Sequence, residues 1–430
     1  MIGTKRLFDN LDWLLVGFYF IFVTFGWMNI YSAIYTPGDE LDLLNSSFYD
    51  SNAGKQLIWI ATSLILIMII FVLDYRFFEL FAPYIYALLM LLLVMVPFLG
   101  VTINGSHSWF KIGSITIQPA EFAKTATSLF LAKYLSIPNA NLKKTATLKW
   151  VIVLILMPMV LIVSSNETGS ALVFGSFILV LYKEGLPGIF PALLIGMVAI
   201  VLLALLVETY YILIVFSIGS LVYLIFQPLY VLRKTRIYLQ IIGVIGLVLA
   251  LTSSLDFFVN EVLQEHQRNR IKIWLNPNFD SRGLGYQVTQ SKIAIGSGGF
   301  WGKGYLQGTQ TKFDFVPEQS TDFIFCTIGE EFGFVGVFFL LSFYLIFIAR
   351  IFYKSNLQKI KFARIYGYCL GGILFFHFFI NIGMTIGIVP IMGIPLPFFS
   401  YGGSSLWSFT ILLFIFLKLD LERNNVLHHI

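Results

Sequence analysis

The chain has 430 residues, 58% hydrophobic and only 12% charged, with a formal net charge of +5 and a mean hydropathy of +0.83. Soluble globular chains run nearer half apolar and a quarter charged, so this one cannot coat a water-facing surface and must be solvated largely by lipid. The absence of any basic block argues against nucleic acid as a partner, and the 2 cysteines, Cys326 and Cys369, sit in apolar segments as small hydrophobes rather than as a disulfide or metal site.

A span needs about 20 apolar residues. In chain order, apolar runs near 12–33, 55–73, 78–98, 118–136, 149–165, 169–186, 188–207, 210–229, 236–255, 322–350, 363–385 and 403–420 predict about twelve transmembrane helices. The opening MIGTKRLFDNLDW has no cleavable-signal pattern, so the first run is expected to stay as a span. With the N-terminus in the cytoplasm, the inward connections hold Arg76, Lys143, Lys144, Lys183, Arg233, Lys234, Lys354, Lys359, Lys361 and Arg364. The C-terminal tail, also inward, adds Arg423, whereas the first outward connection is acidic. This alternation obeys the positive-inside rule along the whole chain and puts both termini in the cytoplasm. The predicted fold class is an all-α polytopic membrane helix bundle, a single integral membrane domain over 1–430.

Three outward segments stand out: 99–117, which leads into QPAEFAK; 256–321, far longer than an ordinary connection; and 386–402, GIVPIMGIPLPFFSYGG. In QPAEFAK, proline suits a first helical turn, and Glu121 and Lys124 three residues apart share a face. An ionisable pair near or within a span is costly and usually paired, so it reads either as an ion pair fixing helix packing or as a charged site for a polar substrate group. Glu167, at a helix start in SNETGS, reads first as a capping anion.

The long loop gathers Arg268, Arg270, Lys272, Arg282, Lys292, Lys303 and Lys312 around Asp280, with Gly296, Gly298, Gly299, Gly302 and Gly304. Cations in an outward loop point to an anion such as phosphate. The glycines allow sharp turns or a close approach to a ligand. Asp280, in NPNFDSRG, is either a turn aspartate bonding its own backbone or, ionised at neutral pH, a base or metal ligand. Glu330 and Glu331 fall within a span, so at least one is expected to face the bundle interior and pair there. The five histidines, His107, His266, His377, His428 and His429, show no ligand spacing for zinc and no Ser-His-Asp arrangement.

The stretch Asn381–Ser405, NIGMTIGIVPIMGIPLPFFSYGGSS, resembles the signature of the SEDS family (shape, elongation, division and sporulation). QPAEFAK resembles its QPSE helix, and IAIGSGGFWGKGYLQGTQTKFDFVPEQSTDFIF resembles the RodA branch more than the FtsW branch. The three motifs occur in the family's order and the similarity covers nearly the whole chain. It implies a ten-span core, here with a two-span insertion near 188–235, and a large extracytoplasmic catalytic loop at 256–321. It also implies a peptidoglycan glycosyltransferase of the bacterial cell membrane that polymerises lipid II, with loss of undecaprenyl diphosphate. Partners implied are a class B penicillin-binding protein, the elongation machinery and membrane lipids. The family's essential loop aspartate falls on Asp280, and its QPSE carboxylate and following lysine on Glu121 and Lys124. Ser108, Ala120 and Glu167 stand where the family usually has arginine, serine and aspartate. The bond exchanged needs a base, Asp280, and positive charge for the leaving diphosphate. Arg268, Arg270 and Lys292 are the expected helpers, or else a divalent cation; no other cofactor is expected. Two rival readings are a lipid II flippase or transporter, and a non-catalytic scaffold for the penicillin-binding protein.

Overall fold

The computed structural model describes residues 11–35, 46–103, 106–113, 115–138, 140–207, 209–228, 235–257, 261, 265–276, 279, 283–312 and 315–423. It forms two compact units, one of Met1–Leu186 with Tyr286–Ile430, the other of Pro187–Gly285.

In the first unit, α1 (Trp13–Ile34) starts at Asp12, whose carboxylate accepts the Leu15 N–H at 3.2 Å and so satisfies one of the first-turn donors that a helix leaves open. A short α2 (Ser46–Asp50) leads to α3 (Asn52–Val72), capped by Ser51, and then to α4 (Tyr75–Leu99), capped by Asp74. The next elements are α5 (Pro119–Ser136), α6 (Thr145–Ser164), and α7 (Thr168–Val173) and α8 (Phe177–Lys183) joined by one 3-10 turn. The second unit holds α9 (Ile189–Leu206), α10 (Thr209–Ile225), α11 (Thr235–Phe257) and α12 (Glu265–Leu275). Between α10 and α11 lies an open apolar groove of about 470 Å³, lined by Phe216, Gly219, Tyr223, Ile241 and Val244 among others. Helix α13 (Leu284–Ser297) spans the boundary between the units, and α14 (Ile324–Asn356), α15 (Lys361–Thr385) and α16 (Gly403–Leu421) close the first.

Each of the twelve predicted runs is thus helical. Eight of the described helices are long and apolar enough to cross a membrane, and three shorter apolar helices add to them. Helix α5 falls outside both sets because Glu121, Lys124, Lys133 and its serines and threonines make it too polar; Glu121, Lys124, Thr125, Thr127 and Ser128 are buried along it. Burial sorts the long helices. In α15 and α16, 78% and 83% of the apolar window is enclosed by protein, against 22% in α3 and in α6, which keep most of their apolar surface for lipid. Small residues permit the central packing: a Cβ at Gly367 of α15 would lie 2.2 Å from Ser355 Oγ and 2.4 Å from the Phe416 ring.

The first outward segment departs from the all-helical expectation. It is a three-stranded antiparallel meander, β1 (Val101–Ile103), β2 (Ser106–Ile112) and β3 (Ile115–Ile117), with Val101 opposite Trp109 and Phe110 opposite Ile117. Alternating β-branched residues around an Asn-Gly dipeptide carry that hairpin signal in the sequence.

Polar groups collect at two opposite ends of the first unit. At one, Asp12 pairs with Arg350 and Lys354, and Asp420 with Lys354, joining the start of α1 to the ends of α14 and α16. At the other, Ser404, near the start of α16, accepts from the Gln118 N–H at 3.1 Å and donates to the Thr116 carbonyl at 3.2 Å. The 19 residues of α16 separate these ends by about 28 Å, close to the thickness of a bilayer's hydrocarbon core.

Candidate active site

Proline at its first position starts α5 and presents Glu121 and Lys124 on one face, both buried. Lys124 Nζ donates to Glu121 Oε1 at 2.8 Å. The same ammonium lies 2.8 Å from His377 Nε2, on the central α15, and 5.1 Å from the centroid of the Phe409 ring on α16. The partner oxygen, Glu121 Oε2, is buried with no hydrogen-bond partner. A buried charged oxygen left open is costly, and a hydrogen-bond donor is what this one lacks.

One turn before Glu121, the Gln118 side-chain amide donates to Glu167 Oε1, as does the Ser170 hydroxyl. Glu167 occupies the N-cap of α7 but bonds no backbone N–H there, so its carboxylate faces this polar group instead of capping the helix. Burial pushes the Glu167 carboxyl up; the Ser170 and Gln118 hydrogen bonds oppose that, and the nearby charge of Glu121 adds to it. Its second oxygen, like that of Glu121, has no partner.

A second buried acid has the opposite character. Glu330 Oε1 accepts from Lys303 Nζ at 2.6 Å, the Thr309 N–H at 2.7 Å, the Thr309 hydroxyl at 3.2 Å and the Gln310 N–H at 2.9 Å. Its Oε2 accepts from the Thr311 N–H at 3.0 Å and the Thr311 hydroxyl at 2.9 Å. Glu331 accepts from Ser32 and from the Leu306 N–H. The expected interior pairing of these acids is present. Two of the loop glycines approach this helix closely: a Cβ at Gly298 would sit 2.0 Å from the Gly329 carbonyl oxygen, and one at Gly302 2.1 Å from that of Glu331. Gly302 (φ +81°) and Gly333 (φ +63°) adopt backbone that favours glycine, and at Gly333 α14 is kinked.

Comparison with known proteins decides the family. The family of cell cycle proteins grouping FtsW, RodA and SpoVE matches residues 12–218 and 184–425. The chain belongs to the FtsW/RodA/SpoVE family. The peptidoglycan glycosyltransferase MrdB of Escherichia coli K12 is 35% identical over 350 residues, 81% of this chain and 80% of that protein. The peptidoglycan glycosyltransferase RodA of Treponema pallidum is 35% identical over 379 residues, 82% of this chain and 86% of that one. Among solved structures, a chain of a peptidoglycan synthase complex is 28% identical, with a TM-score of 0.67, over 96% of this chain and 98% of that one. RodA of Thermus thermophilus, at 23% identity and a TM-score of 0.60, shares the fold over 96% and 97% of the two chains. The protein is a multi-pass membrane protein of this family.

The remaining predicted site residues fall in different places within this FtsW/RodA/SpoVE fold. Lys292 is exposed on α13; the position of a Cβ at Gly387 would lie 2.4 Å from its Nζ, which puts the ammonium against the 386–402 segment. The neighbouring Ser291 donates to the Thr385 carbonyl at 3.0 Å, eight residues or about 12 Å along α15 from His377. Arg268 and Arg270 are half-buried on α12 in the second unit, two residues apart and so roughly 200° apart around the helix. Asp280, the predicted catalytic carboxylate, and Arg282 lie outside the described residues. Two other loop cations are engaged: Lys303 pairs with Glu330, and Lys312 sits 4.8 Å over the Tyr35 ring.

Among the described residues no three His, Cys, Asp or Glu side chains converge to hold a metal ion. Glu121, already paired to an ammonium, is a poor start for a cation site. His377 is the site residue that sequence reasoning passed over. It stands four residues before Asn381 of the NIGM motif, hence on the same helix face, and a lone imidazole in an apolar span was itself the signal.

Proposed function

We propose that this chain is a peptidoglycan glycosyltransferase that polymerises lipid II into glycan strands during cell-wall elongation. The observation that carries the reading is Glu121 Oε2, buried and open beside Lys124 in a family whose relatives here are named peptidoglycan glycosyltransferases. A saccharide offers hydroxyl and amide N–H donors to such an oxygen. In the reaction, the 4-hydroxyl oxygen of an acceptor sugar forms a bond to the anomeric carbon of the donor while the bond to the diphosphate oxygen breaks. Asp280 takes the hydroxyl proton as general base. Undecaprenyl diphosphate leaves with the bonding electrons, its charge offset by basic side chains, for which Arg268, Arg270 and Lys292 are the candidates. Basic side chains are the proposed source of that positive charge, with a divalent cation as the alternative.

The Lys and Arg distribution supports cytoplasmic termini, which puts the Gln118 end of the first unit and the loop carrying Asp280 outside the cytoplasm. A class B penicillin-binding protein is the proposed partner, in keeping with the similar chain from a synthase complex. The pair at 188–235 is proposed as an insertion into a ten-span core; the two family matches overlap at 184–218, within the same stretch.

The test is polymerisation of labelled lipid II by the purified chain in liposomes. Wild type is expected to make glycan, and Asp280→Ala to lose at least about a hundredfold in rate while unfolding at the wild-type temperature. A fully active Asp280→Ala protein would sink the assignment of the base. Lipid II crossing the bilayer with no chain growth would favour the flippase reading instead.

A further inference from the structure

His377 belongs to no role described so far, yet it is buried at the centre of the unit and touches the charged pair. An ammonium has three donors and no acceptor, so His377 Nε2 must be the unprotonated ring nitrogen. The proton then sits on Nδ1, which faces the Pro395 carbonyl at 3.1 Å, in the 386–402 segment. Phe409 stands edge-on to the imidazole, 4.8 Å away at 89°, and opposes its rotation. That same ring lies beneath the Lys124 ammonium. Lys124 is thus held from three sides, by Glu121 Oε1, His377 Nε2 and Phe409. With Lys124 fixed on Oε1, only Glu121 Oε2 stays open.

We propose that His377 is a positioning residue that fixes Lys124 against one oxygen of Glu121, so that the other oxygen is kept as the acceptor for a saccharide donor group. The assignment rests on the glycosyltransferase reading above. It also ties the helix carrying Glu121 to His377, 253 residues from Lys124, and through it to Pro395 in the 386–402 segment.

Three substitutions separate this role from simple packing. A glutamine side chain places its amide oxygen near the position of Nε2 and can accept from Lys124. An asparagine places its amide nitrogen near Nδ1 and keeps only the contact to Pro395. Leucine keeps neither. In the liposome assay His377→Gln is expected to stay within about threefold of wild type, and His377→Asn and His377→Leu to fall by about ten- to a hundredfold. Activity kept by His377→Leu, or by His377→Asn but not His377→Gln, overturns the proposal. A thermal-unfolding cycle of Lys124→Met, His377→Leu and the double variant reads the contact without any reaction. The double variant should lose clearly less Tm than the two single losses summed; additive losses overturn the proposal. Should wild type make no glycan, the glycosyltransferase reading falls, and this cycle alone decides whether His377 holds Lys124.

Discussion

At Glu330 a lysine, two threonines and a glutamine surround the carboxylate; at Glu121 a single lysine reaches one oxygen and the other is left bare. Both are buried glutamates beside a lysine. Their surroundings give them different work. Both oxygens of Glu330 are already engaged, so it has little capacity left for a ligand, and three of its donors are backbone N–H groups of a single strap. Glu121 is under-satisfied in a setting where burying an open anionic oxygen is costly. A fold tolerates that cost where the oxygen has something else to meet. Glu330 reads as structure, whereas Glu121, with Lys124 and His377 beside it, reads as the candidate site.

Removing Glu330 tests the saturated side and should give the largest effect. Glu330→Ala leaves Lys303 and the backbone N–H groups of Thr309, Gln310 and Thr311 without their acceptor. The expected loss is about 3–5 kcal/mol, as when a buried pair loses one partner. Thermal unfolding in detergent should show it, together with faster proteolysis near 303–311. A stability loss below about 1 kcal/mol would mean that the strap is held by something other than this carboxylate.

The open side should respond in the reverse sense. Glu121→Gln keeps an amide oxygen for Lys124 but removes the charge and half the accepting capacity. Glycan synthesis should drop about a hundredfold, equivalent to about 2.7 kcal/mol of transition-state stabilisation, with some loss of stability as well, because the Lys124 ammonium stays buried without its counterion. If the variant unfolds early and polymerises normally, Glu121 is a packing pair like Glu330 and the contrast between the two acids disappears.

How much of this could be read beforehand follows from what each signal depends on. The helices were legible because lipid demands long apolar runs, and the sequence carries those runs locally. Glu121 and Lys124 were legible because three-residue spacing on a helix is also local. The β-meander is less legible because its strands are short and lie between two long apolar runs, so its local alternation is a weak signal beside theirs. His377 was not paired in advance, because the contact joins residues 253 apart and no spacing rule reaches that far. The loop cations looked equivalent in one dimension. In three, Lys303 and Lys312 are engaged within the first unit, whereas Lys292 is exposed beside Gly387.

A third buried acid, at the far end of the unit, calibrates the other two with the smallest effect. Burial works to raise the Asp12 carboxyl, but the hydrogen bond and charge of Lys354, the Leu15 N–H and the charge of Arg350 outweigh it and hold it below the ordinary value near 3.8. A group whose folded value is depressed adds stability above its unfolded value, about 3.9, and that stability is lost as pH falls through the folded value. Unfolding temperature should therefore be flat with respect to Asp12 from neutral pH down to about 4 and decline below it. Asp12→Asn keeps the oxygen that caps Leu15 and removes only the charge. Because Arg350 is about a third exposed, solvent screens part of the interaction and the neutral-pH loss should be about 1 kcal/mol, shrinking toward zero in acid. Asp12 lies about 28 Å from the Glu121 end, so glycan synthesis per folded molecule should not change. A wild-type-to-variant gap that persists below pH 3, or a fall in specific activity, would show that Asp12 acts through something other than its paired charge.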